Sequence, residues 1–145
     1  MSNEFGALEA DNETPGRMDI LHPGTEDVIR DHQGNAAYLE ILSPDSEPAR
    51  KVDLARNRAV VRKLRSGRNR DVGDEDPIED QVEKLVAVTV GWNLIDPKTR
   101  ERMDVPFSKE NARKLFSNPR LGWLRRQAFT YHNNEANFMQ GSSKS

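Results

Sequence analysis

The chain has 145 residues, with 22 Lys or Arg, 24 Asp or Glu, no Cys, and only 34% hydrophobic residues. That length suits one small domain with tails. No stretch approaches the roughly 18 apolar residues of a membrane span. The first residues carry neither the basic nor the apolar region of a secretory leader. Without Cys there is no disulfide, thiol nucleophile or Cys-ligated zinc, which fits a reducing compartment.

The formal net charge of -2 hides a segregation. Nine basic residues lie between Ser46 and Arg70, against Glu47 and Asp53. Residues 71–83 reverse the sign with seven acidic residues and no basic one. Adjacent blocks of opposite sign attract, within a chain or between copies. Self-association that weakens with salt is therefore expected.

Residues 1–16 are polar and acidic, and residues 140–145 are small and polar. Neither can bury enough apolar surface to offset its ordering entropy, so both read as disordered tails. Met18, Ile20 and Leu21 predict a strand that stops at His22-Pro23-Gly24. Val28 and Ile29 predict a second strand, and Tyr38, Leu39, Ile41 and Leu42 a third. Together they make a small antiparallel meander that needs helices to cover one face.

Ser46 has the position of an N-cap, with Glu47 and Pro48 in the first helical turn. A helix over 47–66 follows, with Ala49, Val52, Ala55, Ala59, Val60 and Leu64 on one broad side. Ser66-Gly67 ends it, and an acidic linker near 67–77 leads onward. Ile78, Val82, Leu85, Thr89 and Trp92 share a helical face, whereas Val86, Val88 and Val90 alternate like a strand. The acidic first turn favours a helix over 78–92.

Asn93 to Phe107 is an irregular excursion with a turn at Asp96-Pro97. Ser108 is the expected N-cap of the next helix, whose buried face holds Ala112, Leu115 and Phe116. Phe107 before that cap has the placement of a hydrophobic staple. Ser117-Asn118-Pro119 breaks the helix, and Pro119 starts the last one. There Leu121, Leu124, Ala128 and Tyr131 form one apolar side. The fold class read from this order is α+β, a small meander followed by about four helices, in one domain over 17–139.

Catalytic patterns are missing. His22 and His32 fall in predicted turns and His132 near the end of the last helix, all read as exposed, and no pair has the spacing of a helical metal site. There is no Gly-x-Ser-x-Gly elbow and no phosphate-cradling glycine loop. The sequence thus reads as a non-enzyme without cofactor or metal. The Arg-rich helix could track phosphates through Arg56, Arg58, Arg62, Arg65 and Arg68. No aromatic residue interleaves them, and the net charge is negative, which argues against nucleic acid.

One stretch resembles a known family. Val90-Gly91-Trp92-Asn93-Leu94, then Val105-Pro106-Phe107-Ser108-Lys109-Glu110-Asn111, then a helix into Leu115-Phe116, resembles the tail assembly chaperones of long-tailed bacteriophages. Leu21-His22-Pro23 and Ser43-Pro44-Asp45-Ser46 before an Arg-rich helix resemble the longer forms of that family, so the likeness spans roughly 17–132. Pro97 after Asp96 departs from the glycine turn common there.

The resemblance implies a non-enzymatic assembly factor of the host-cell cytoplasm, absent from the mature virion. Its implied partners are the tape measure protein, a long helical and aggregation-prone chain, and the tail tube protein. Trp123 and Phe129 lie off the apolar side formed by Leu121, Leu124, Ala128 and Tyr131, so the last two helices are the expected interaction surface, with Phe116, Trp123 and Phe129 as partner anchors and Arg58 and Arg62 as further contacts. Two rival readings are a structural tail component, such as a tube or completion protein, and a small nucleic-acid-binding protein.

Overall fold

The computed structural model describes residues 6–8, 12–65 and 77–139. The tail at 140–145, the acidic linker up to residue 76 and most of the first eleven residues lie outside them. In chain order the elements are β1 (Gly16–Asp19), β2 (Tyr38–Ile41), α1 (Glu47–Arg65), α2 (Pro77–Val88), β3 (Thr89–Asn93), α3 (Lys109–Ser117) and α4 (Gly122–Asn133). The α+β class, with an antiparallel three-stranded sheet and four helices, is as read from the sequence.

The sheet has the order β1-β2-β3, all antiparallel. Leu39 and Ile41 on β2 are fully buried and alternate with Tyr38 and Glu40, as one covered face demands. A bulge between Glu40 and Ile41 shifts the pairing of β2 with β3.

The third candidate strand, at Tyr38–Ile41, is β2, while the second, at Val28-Ile29, does not form. Only isolated bridges form there, Leu21 with Val28 and Arg30 with Ala36. Tight turns on both sides leave too few residues for a ladder, and Glu26 (φ 65°) and Gly34 (φ 89°) sit in the left-handed region. The sheet's remaining strand comes instead from Thr89–Asn93, a stretch read as the end of a helix. Of the alternating Val86, Val88 and Val90 only Val90 lies in the strand, and from Thr89 on pairing with the open edge of β2 outweighs the helical spacing. Ile78 remains exposed, while Val82 and Leu85 face the core as the helical reading required.

The helix-to-strand junction is abrupt, since Val88 ends α2 and Thr89 begins β3. Free carbonyls at such a helix end need donors. Lys109 supplies them. Its ammonium donates to the carbonyls of Val86 (2.8 Å), Ala87 (3.1 Å) and Thr89 (2.9 Å). Desolvation by partial burial lowers its pKa from the ordinary Lys value. Lys109→Met keeps the length of the stem and removes all three bonds. It is expected to cost about 1–2 kcal/mol, the low end for bonds to a charged group because the side chain reaches solvent. Urea unfolding monitored by circular dichroism would read this as a lower midpoint.

α2 lies at the centre of the helical layer, packed against α3, α1 and α4, and α4 also meets β2. Asp53–Lys84 (2.6 Å) and Arg56–Asp80 (3.2 Å) tie α1 to α2. Arg113 holds Glu83 with two bonds between α3 and α2. Part of the opposite charge of the two blocks is thus matched within the chain. Exposed pairs of this kind contribute about 0–1 kcal/mol each.

The start of the domain shifts as well. Asn12 accepts from the Ser43 hydroxyl (2.8 Å), and the Glu13 carboxylate accepts from the Glu47 amide (3.2 Å). Glu13, sequence-distant from α1, therefore serves the first turn of that helix. The Ser46 hydroxyl donates to the Ser43 carbonyl instead (2.7 Å). Residues 12–16, read as part of a disordered arm, dock on the domain. Pro77, read as linker, opens α2.

Candidate partner-binding surface

The residues that carry the family resemblance form one brace. Trp92 on β3 meets Phe107 edge to face, with centroids 5.1 Å apart and an 84° interplanar angle. The Trp92 indole N–H donates to the Val105 carbonyl (2.8 Å). Ser108 caps α3 by accepting from the Asn111 amide (3.0 Å), and the Asn111 side chain donates to the Pro106 carbonyl (2.9 Å). Lys109 then reaches back to α2. The motif thus pins α3 to the α2–β3 junction, which is an architectural task rather than a docking face.

The excursion between its two halves is a closed turn. Asp96 accepts from the Lys98 amide (2.8 Å), Ile95 bridges Arg102, and Leu94 and Ile95 are buried. Arg100 (φ 59°) donates to the carbonyls of Arg30 (3.3 Å) and Asp31 (3.2 Å). His32 Nε2 lies 2.8 Å from the Thr99 carbonyl. The two surface turns therefore support each other.

α4 carries the candidate anchors. Pro119 begins a short 3-10 turn (Pro119–Leu121), capped by the Asn118 side chain, and α4 proper starts at Gly122. Its buried side holds Leu124, Arg125, Ala128 and His132, with Leu121 and Tyr131 half-buried. Buried Arg125 donates to the Gln81 side chain (3.0 Å). His132 has 0% exposure, so the reading of this residue as an exposed histidine is corrected. Its Nδ1 lies 2.8 Å from the Leu42 carbonyl, which can only accept, so Nδ1 carries the proton. Nε2 is buried without a partner.

Trp123 and Phe129 project to two different sides, and each is half-buried against the core. Trp123 lines a surface groove of about 780 Å³ together with Leu21, His22, Arg126 and Tyr131. Gln127 fixes one wall of it. Its amide accepts from the Leu21 N–H (3.0 Å) and donates to the Leu21 carbonyl (2.7 Å). Gly16 leaves room for the Tyr131 ring behind this groove, since a Cβ there would fall on the Tyr131 hydroxyl and lie 3.1 Å from Phe138. Tyr131 has its pKa raised from the ordinary value, by burial first and by Asp19 second.

Phe129 lines a second groove, of about 540 Å³, between α1 and α2. Val52, Ala55 and Ala59 form its apolar wall, and Asp53, Lys84, Arg56 and Asp80 its charged rim. The small side chains of α1 keep this groove open, because Ala and Val cannot fill the space that Leu or Phe would take.

Phe116 is corrected. It has 0% exposure and belongs to the core, with Leu115 and Leu124 beside it also buried. It can anchor no partner while the domain is folded. Arg58 and Arg62 are exposed on α1, remote in the chain from both aromatic anchors, and neither makes an ion pair with another described residue. Phe116 is thus lost as an anchor, and the other four share no single face: Trp123 lines one groove, Phe129 another, and Arg58 and Arg62 line neither. Sequence reasoning missed Gln127, Lys109 and Arg125, whose partners lie 20 or more positions away and leave no local signal.

Among the described residues no cluster of His, Asp or Glu is placed to hold a metal ion, and no helix is long and apolar enough to cross a membrane. Comparison of the chain with protein-family models, with curated proteins and with solved structures returned no match.

Proposed function

We propose that this protein is a non-enzymatic assembly chaperone of a long-tailed bacteriophage. In this reading it binds the helical tape measure protein in the host cytoplasm, brings in tail tube subunits, and leaves before the virion is complete. The observation that carries the binding part is the α1–α2 groove, apolar on its α1 wall, with Phe129 in its lining and a charged rim. An amphipathic helix lays its apolar face into a groove of this kind. The phage assignment is supported by the resemblance of the Gly91-Trp92 and Pro106-to-Asn111 segments. Modest affinity at each copy suits a chaperone that tube growth must displace, with many copies along one long helix supplying avidity.

Trp123→Ala and Phe129→Ala, made separately, test the surface. Each residue is half-buried, so each variant is expected to fold. A buried aromatic anchor is worth about 2 kcal/mol or more on truncation, roughly a thirtyfold loss of affinity. Loss of tape measure or tube protein from co-precipitates of a stably folded variant is expected. Full retention by both variants would remove these residues from the interface.

A further inference from the structure

α1 has a second apolar strip, with Leu54 and Val61 off the broad side that lines the groove and Leu64 at the margin between the two. Leu54, Val61 and Leu64 are 50%, 44% and 52% exposed. At 100° per residue they fall within an arc of about 80°, and its centre is about 120° from the side that faces α2. Single exposed apolar residues need no explanation, but three aligned on one helix do. The spacing i, i+7, i+10 is that of a seam made to meet another helix.

Charge marks one border of this seam. Arg58, Arg62 and Arg65 follow it along the side away from α2 and are exposed. None of the three makes an ion pair with another described residue. From the seam and its border together we infer that the outer face of α1 docks an acidic amphipathic helix of a partner protein. The partner's apolar ridge covers Leu54, Val61 and Leu64, and its carboxylates answer the three arginines.

The same features argue against the other occupants. A nucleic acid would use the arginines but leave the apolar seam in water. A second copy would bring its own arginine border against this one if the helices ran antiparallel. In a parallel pair Arg58 would need Asp53 of the other copy, and Asp53 is engaged by Lys84 at 2.6 Å. The acidic residues 71–76 hold Val72 as their single apolar side chain, too little to cover the seam.

The inference rests on α1 alone and needs no phage partner, so it stands or falls apart from the chaperone reading. The test uses the full chain and a labelled synthetic peptide of about three heptads, long enough to hold a helix on a surface. It carries leucines at the seam positions and Glu at the flanks. A twin carries Lys in place of Glu. Fluorescence anisotropy is expected to show the Glu peptide binding about tenfold or more tightly than the Lys peptide at low salt, with the gap shrinking as salt rises.

The triple variant Leu54→Gln, Val61→Gln, Leu64→Gln keeps good helix formers on exposed positions. It is expected to weaken the Glu peptide about tenfold or more. Arg58→Glu, Arg62→Glu and Arg65→Glu together should invert the preference, so that the Lys peptide binds. That gain cannot come from unfolding. Equal binding of both peptides by the wild type, or Glu-peptide binding indifferent to the Gln triple, would overturn the inference. So would duplex DNA binding that needs the arginines but not the seam, or self-association of the wild type that the Gln triple abolishes.

Discussion

Phe116→Ala is expected to lose about 3–5 kcal/mol of folding stability, the usual cost of emptying a fully buried aromatic site. Phe116 sits where α3 meets the rest of the core, with Ala112, Leu115 and Leu124 also buried in the same cluster. Because a domain of this size holds only about 5–15 kcal/mol in total, a large share of its stability goes. Urea unfolding should show a much lower midpoint with an unchanged slope. Near-wild-type stability would mean that Phe116 is a surface residue after all.

The second large effect is a dependence on pH set by His132. Burial, the strongest influence, lowers the pKa of its imidazole below the ordinary value of 6.5. The hydrogen bond with the Leu42 carbonyl raises it, nearby Lys84 lowers it, and Asp53 raises it. The sign follows directly. Between the folded pKa and about 6.5 the unfolded chain takes up a proton that the folded chain refuses. Stability from this group is therefore complete above about 6.5 and is lost as pH falls through that window. The slope can reach about 1.4 kcal/mol per pH unit.

His132→Leu fills a similar volume without titrating. The variant loses the bond to Leu42 but also removes the unpartnered Nε2, so its stability at pH 7 can shift either way. Its slope between pH 6.5 and 5 is the quantity of interest, and it is expected to be flatter than that of the wild type. Chemical denaturation at stepped pH reads this. Parallel curves for the two proteins would mean that His132 does not govern acid sensitivity.

The helical layer was legible in the sequence because local rules decide it. Ser108 caps α3 as its position before an acidic first turn implied, and Ala112, Leu115 and Phe116 make the buried side. α1 runs over 47–65, within one residue of the reading from its apolar stripe. The sheet was only half legible. β1 and β2 followed from short apolar runs, but the pairing of β3 with β2 joins residues some 50 positions apart, and period alone cannot announce such a partner.

The site shows the same division. Trp123 and Phe129 were singled out because α4 has apolar residues on more than one side, and both line grooves. Phe116 was misplaced because an aromatic at the end of a short amphipathic helix reads alike as core or anchor. What separates the two is how neighbouring helices cross, which depends on α2 lying between α1 and α3. The segments that carry the resemblance have an architectural part that local sequence does not announce: Trp92, Phe107 and Lys109 hold β3, α3 and the end of α2 together.

The most direct measurement of the proposed chaperone role is co-expression with a tape measure protein encoded in the same genome, with the soluble fraction of that protein as the readout. The chaperone account predicts that the tape measure protein is largely insoluble alone, becomes soluble with this chain, and co-migrates with it in sedimentation as a complex of several copies per helix. It also predicts that adding tube protein under polymerising conditions releases the chain. An unchanged soluble fraction with no complex, or retention of the chain in purified virions, would contradict the account.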